Sequence, residues 1–148
     1  MADETRVAAV EVARIGVIGG SGLYELFPSD AVQELTVATP YGQPVTIAVG
    51  RISGRAVAFL PRHGKDHSVP PHRLNARATM WALAAIGVRA VVSTAAVGSL
   101  NPALAVGSIA LADQLVDQTH GRADTFFDGS VVRHLPFADP FGGPLRDL

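Results

Sequence analysis

The chain contains no cysteine, which excludes disulfides and thiolate metal sites. Charge is scarce as well: 17% of the residues are charged, against about 25% in an average globular protein. Surface so poor in charge is expected to be covered by another subunit or by further chain. Long apolar runs are missing too; the runs present are four to six residues, far below the roughly 18 that span a bilayer. The first residues, MADETR, offer no basic start feeding an apolar stretch, so nothing supports secretion. With a net charge of −1 and no basic stripe, nucleic acid is not an expected partner. The expectation is a soluble, cytoplasmic protein with no membrane contact, and 148 residues suffice for one domain with a real core.

What is present is an alternation of short apolar runs and glycine-rich turns. Residues 1–13 read as a flexible N-terminal tail, and residues 14–148 as part of a single domain. Residues 14–18 (RIGVI) form a buried strand ending at Gly19-Gly20-Ser21-Gly22. Residues 45–49 and 56–60 read as further strands with residues 50–54 as the turn between them. A polar loop over 61–71 leads to a helix over about 72–86, whose apolar face is Leu74, Ala78, Trp81 and Ala85. Leu74 and Trp81 are assigned to core packing. Gly87 stands where a C-terminal cap belongs. Residues 88–93 (VRAVVS) are the next strand, 107–112 a weaker strand-like run, and 118–139 irregular. The end, FGGPLRDL, reads as the approach to a helix left incomplete, and the ending as truncated. Strand, loop, helix and strand over 56–93 make a βαβ unit. The fold class is therefore α/β, a mixed, partly parallel sheet flanked by helices.

Three loops then fall at the carboxyl ends of strands, where open α/β sheets bind ligands. They are Gly19 to Gly22, Arg62-His63-Gly64, and Thr94 to Ser99. Glycines admit an anion close to backbone N–H groups, Ser21 adds a hydroxyl, Arg62 a planar fork and His63 one more hydrogen bond. Phosphate suits this set, and a carboxylate would satisfy the same groups. Each feature also has a plain structural explanation. A Gly-Gly-Ser-Gly turn serves equally as a tight connection, and it is neither a dinucleotide fingerprint nor a P-loop. Arg62 alone is a common surface ion-pair residue. His63, Asp66 and His67 could suggest a metal cluster, but Gly64 and the nearby prolines argue against the helix that would align them. No metal is expected. Asp113 and Asp117 read as a solvated face or a cap rather than paired catalytic acids.

The ordered set of motifs is more specific than any one of them. It comprises residues 15–23 (IGVIGGSGL), Thr39-Pro40-Tyr41-Gly42, Pro61-Arg62-His63-Gly64 with His67, and Asn75 with Trp81-Ala82-Leu83. Val97-Gly98-Ser99-Leu100 and Phe137-Ala138-Asp139-Pro140-Phe141 complete it. Together these resemble the methylthioadenosine phosphorylase branch of the purine nucleoside phosphorylase family, over about the first half of a family member. The resemblance implies phosphorolysis of a purine nucleoside, with 5′-methylthioadenosine as the leaning, to a free purine and a sugar 1-phosphate. Inorganic phosphate would be the co-substrate, with no other cofactor. It implies phosphate contacts from Ser21, Arg62, His63 and the backbone at Ala95 and Ala96. His134 would be lent to a neighbouring subunit's 5′ site in a homotrimer. Relatives often carry Thr or Asn where this chain has Ala95, so a side-chain contact there is expected to be lost. The catalytic partner of purine N7 belongs to the second half of the family's chain, and these residues alone are expected to be inactive. The other readings are a non-catalytic phosphate- or nucleoside-binding remnant, a partner-dependent subunit, and, more remotely, a metal-dependent hydrolase.

Overall fold

The computed structural model describes residues 13–20, 22, 23 and 26–147, in two compact units that divide between Ala96 and Val97. The assigned tail therefore lies outside the described residues except for Ala13, which is buried in the core. The first unit is a five-stranded sheet. Its strands are β1 (Ile15–Gly19), β2 (Gln33–Thr39), β3 (Gly42–Ile52), β4 (Arg55–Pro61) and β5 (Ala90–Ser93), in the order β2-β3-β4-β1-β5. β1 runs parallel to both β4 and β5, while β2, β3 and β4 form an antiparallel meander. The sheet is thus mixed, as the βαβ pattern over 56–93 predicts.

β2 had no counterpart in the sequence reading. It carries Leu35 and Val37 inward between exposed Glu34, Thr36 and Ala38, so it alternates instead of forming an apolar run. The turn between β3 and β4 is narrower than residues 50–54. Ser53 and Gly54 alone make it, both at positive φ (48° and 76°), as a two-residue hairpin between right-twisted strands favours.

Alternate residues feed two cores. Ile18, Ile47, Val49, Ala58 and Leu60 point to one face, where helix α1 (Ala76–Ala85) lays Ala82 and Leu83 against them. Val57 and Phe59 point to the other, covered by Phe27, Leu23 and Leu26 from the connection after β1. Phe27 meets Phe59 edge-on, centroids 6.5 Å apart, and lies flat over Gly50, where a Cβ would come within 2.6 Å of its ring.

The helix differs from its expected span. It starts at Ala76 rather than near His72, because Pro70 and Pro71 hold one 3-10 turn and Asn75 caps the true start, accepting from Ala78 N–H at 3.0 Å. The buried face is Ala78, Ala82 and Leu83, while Trp81 and Ala85 are exposed and Leu74 precedes the helix. The expected apolar face thus had the wrong phase. Its end is as expected: Gly87, at φ 97°, donates to Ala84 O and Val88 donates to Leu83 O, a Schellman closure.

Asn75 also donates from Nδ2 to Tyr41 O, and the Arg77 guanidinium lies 5.0 Å from the centre of the Tyr41 ring. The Thr39–Gly42 and Asn75 motifs therefore meet each other and brace the helix to the β2–β3 turn. Replacing Asn75 with Ala removes the cap and this brace. Chemical denaturation should show a loss of about 1–2 kcal/mol, and an unchanged midpoint would contradict the bracing role.

The second unit, from residue 97 onward, is largely irregular. Among its described residues the one helical element is a single turn, α2 (Gly143–Arg146), with Pro144 as its second residue, in the FGGPLRDL segment. Residues 107–112 are not a strand. Ile109 is 93% exposed, and no neighbouring strand pairs with this run among the described residues. An apolar run becomes a strand only when a partner satisfies its N–H and C=O groups. Asp117 accepts from both the N–H and the hydroxyl of Thr119 at 2.8 Å, a local turn cap, and those two bonds hold its carboxyl below the usual carboxylate range. Residues 118–139 are irregular, as expected.

Candidate functional site

Parallel pairing brings three strand ends together. Register places Gly19 of β1 opposite Pro61 of β4, and Ile18 opposite Ser93 of β5, so the loops after all three leave the same edge. Backbone hydrogen bonds continue the pairing beyond the strands. Arg62 N–H donates to Gly19 O at 2.9 Å, and Thr94 N–H to Ile18 O at 3.0 Å.

Gly20 is the point of closest approach. Its N–H donates to Thr94 Oγ1 at 3.1 Å. A Cβ built on it would lie 2.5 Å from Thr94 O, 2.9 Å from Arg62 Nη2 and 3.2 Å from Ala95 Cα. One residue without a side chain thus touches both neighbouring loops and the tip of the Arg62 guanidinium. The adjoining Gly19 has no room either, since a Cβ there would meet Leu23 O and the Phe59 ring. The turn is closed by Leu23 N–H on Gly20 O at 3.1 Å. Ser21 lies outside the described residues.

Two details differ from the simplest picture of a glycine cradle. The Gly20 N–H is already engaged by Thr94, so it is not available to a ligand. Thr94, absent from the residues expected to contact phosphate, accepts through Oγ1 and keeps its hydroxyl hydrogen to donate. Its signal in the sequence is a hydroxyl residue directly after a strand, beside small residues that offer backbone donors. Ala95 and Ala96 follow Thr94 and are exposed, leaving their backbone accessible.

His63 is 9% exposed. Its Nδ1 lies 2.8 Å from Val69 O, and Val69 N–H donates back to His63 O at 3.0 Å, which closes the 63–69 loop on itself. Gly64 (φ 79°) and His67 (φ 53°) turn the chain between them. The His63 and His67 rings stand 4.7 Å apart. Among the described residues, no three His, Asp or Glu side chains converge as a metal site would require. Lys65 reaches across to Glu34 on β2. Beyond it, Ser68, Val69, Pro70, His72 and Arg73 line an open cleft of about 400 Å³, which includes none of Gly20, Arg62 or Thr94. That cleft and the converging polar groups are different places, and the Arg62 fork and the Thr94 hydroxyl at the strand ends are donors that suit an anion.

His134 belongs to the second unit and is exposed.

Comparison with known proteins agrees with the fold. The sequence profile of the phosphorylase superfamily matches residues 14–148. The chain is 50% identical over 139 residues to S-methyl-5′-thioadenosine phosphorylase of Saccharolobus solfataricus, covering 93% of this chain and 52% of that protein. It is 45% identical over 140 residues to 6-oxopurine nucleoside phosphorylase of Pyrococcus furiosus, covering 90% of this chain and 52% of that one. Among solved structures, methylthioadenosine phosphorylase from Schistosoma mansoni in complex with tubercidin superposes with a TM-score of 0.84 at 38% identity. The match covers 91% of this chain and 50% of that one. The chain thus spans about half the length of the relatives it matches.

Proposed function

The chain belongs to the phosphorylase superfamily, and from that membership we propose that it carries the phosphate side of a purine nucleoside phosphorylase acting on 5′-methylthioadenosine. The observation that carries this reading is the convergence of three loops on Gly20, with the Arg62 fork at its edge. In the proposed reaction inorganic phosphate attacks C1′ of the nucleoside as the bond to the purine nitrogen breaks. The products are free purine and 5-methylthioribose 1-phosphate. Such a displacement needs an anion held in line with the sugar more than it needs a nucleophilic side chain. Arg62, His63, Ser21, the Thr94 hydroxyl and the backbone at Ala95 and Ala96 are the groups that would hold it. Phosphate is the co-substrate, and the reading includes no further cofactor. The group that protonates or hydrogen-bonds purine N7 is assigned to the half of the relatives' length that these residues do not span, so turnover is assigned to the whole fold.

The reading includes a cytoplasmic homotrimer in which His134 closes over the 5′ substituent of a neighbour's nucleoside. The exposure of His134 and the low share of charged residues in the sequence support it. In a protein of the relatives' length, His134→Ala should raise KM for 5′-methylthioadenosine about tenfold while leaving inosine nearly unaffected. A contact worth about 1.4 kcal/mol changes affinity tenfold. Equal losses with both nucleosides would remove His134 from the 5′ site.

The test of the reading as a whole is product analysis. Protein of the relatives' length, given 5′-methylthioadenosine, should release adenine only when phosphate is present, with one sugar 1-phosphate formed per adenine. Release without phosphate would indicate a hydrolase, loss of activity on adding a chelator would indicate a metal enzyme, and nucleoside binding without turnover a binding module. Each outcome sinks the proposal.

A further inference from the structure

In a parallel ladder the bonds are evenly spaced, and a residue bonds through its N–H and its C=O to the two residues flanking its partner. Register sets Ile18 beside Ser93, so Thr94, the next residue, falls due to bond with Ile18 and Gly20. The first bond is present: Thr94 N–H donates to Ile18 O at 3.0 Å. The second has a different acceptor. A continued ladder would have Gly20 N–H donate to the Thr94 carbonyl, yet it donates to the Thr94 side chain, Oγ1, at 3.1 Å. The hydroxyl thus replaces the backbone acceptor at the step where β1 and β5 part. The glycine turn follows at once, closed by Leu23 N–H on Gly20 O with Gly22 at φ 89°. From β4, on the other side of β1, Arg62 lays its guanidinium against the same Gly20, where a Cβ would stand 2.9 Å from Nη2.

We propose that Thr94 is a positioning residue for the anion site: its hydroxyl fixes Gly20 and, through Gly20, the place where the Arg62 fork rests. A side chain that cannot accept would leave the Gly20 N–H without its partner in a partly buried position. Gly20 must then shift toward the Thr94 carbonyl or toward water, and either movement displaces the surface that Arg62 lies on. Thr94 therefore acts before any ligand arrives. This rests on the phosphate reading of the site and gives the Thr94 hydroxyl a second task there, exerted through its neighbours.

Titration of the full chain with inorganic phosphate tests this in four variants beside the parent: Thr94→Val, Thr94→Ser, Arg62→Ala, and Thr94→Val combined with Arg62→Ala. Thr94→Val keeps the shape of the side chain and removes the acceptor, so phosphate affinity should fall roughly tenfold. Thr94→Ser keeps an accepting oxygen and should recover most of that loss. The combined variant carries the decisive comparison. If Thr94 works by placing Arg62, then Thr94→Val should cost about threefold or less once Arg62 is already gone. Without phosphate, hydrogen exchange at the Gly20 amide should be slow in the parent and in Thr94→Ser, and fast in Thr94→Val. The same tenfold cost with and without Arg62 would make the hydroxyl an independent ligand and overturn the positioning role. So would a loss in Thr94→Ser as large as in Thr94→Val, or Gly20 exchange that Thr94→Val leaves unchanged. Each of these overturns the inference alone. A parent chain that does not bind phosphate overturns the phosphate reading and this inference with it.

Discussion

Gly20→Ala is expected to abolish measurable phosphate binding and to destabilise the sheet unit by about 2 kcal/mol, within the range for overpacking a closed site. Two of the three atoms its new methyl would meet belong to backbone, Thr94 O at 2.5 Å and Ala95 Cα at 3.2 Å. Backbone cannot swing aside as a side chain can. The loops after β1 and β5 must therefore separate, and the bond from Gly20 N–H to Thr94 Oγ1 is lost with them. The third atom, Arg62 Nη2 at 2.9 Å, is pushed off its present position. One methyl group thus disturbs all three loops at once. Gly129→Ala is the matching control, because a Cβ there meets nothing within 4 Å and its φ is not positive. Thermal unfolding and phosphate titration of the two variants should diverge; parallel behaviour would mean that Gly20 is not the junction of the site.

Arg62→Ala should separate ligand affinity from stability. The backbone N–H of residue 62 still reaches Gly19 O in this variant, so the strand ends stay together. What disappears is a charged planar fork. Hydrogen bonds to charged groups are worth about 1.5–3 kcal/mol, so phosphate affinity should fall roughly 10- to 100-fold with an unfolding midpoint near that of the parent. Arg62→Lys should restore only part of the loss, since an ammonium cannot make the two parallel bonds. Unchanged phosphate dependence would exclude Arg62 from the site. If stability fell as far as in Gly20→Ala, Arg62 would be a structural residue instead.

The division between what was readable in the sequence and what was not has a physical basis. The parallel core was legible because β1, β4 and β5 are apolar runs that end in turn residues, and the gathering of three loops on one sheet edge follows from that placement alone. β2 was not, because a strand that alternates Leu35 and Val37 with polar neighbours on an edge resembles loop more than core. The helix was legible, but its phase was not. The Asn75 cap beyond the proline pair sets only its start, and packing against the sheet, where Ala82 and Leu83 join the core, sets the buried face. Residues 107–112 misled in the opposite direction. Their composition suits a strand, yet a strand exists only through pairing, and no partner lies among the described residues.

At the site, Gly20 and Arg62 were singled out as parts of separate loops, and the geometry shows them in contact. The Thr94 bond is not legible in the sequence because it joins residues 74 positions apart. The fixing of the His63 ring is not legible in the sequence for a related reason, since it depends on contact with the Val69 carbonyl, six residues on.

The central claim is that the loops after β1, β4 and β5 form one anion site. The most direct measurement is a phosphate titration of the chain followed by backbone amide shifts. The predicted result is a single saturable response at residues 19–23, 62–64 and 94–96, all with the same midpoint. Responses at only one of these loops, with different midpoints, or at none of them would contradict it.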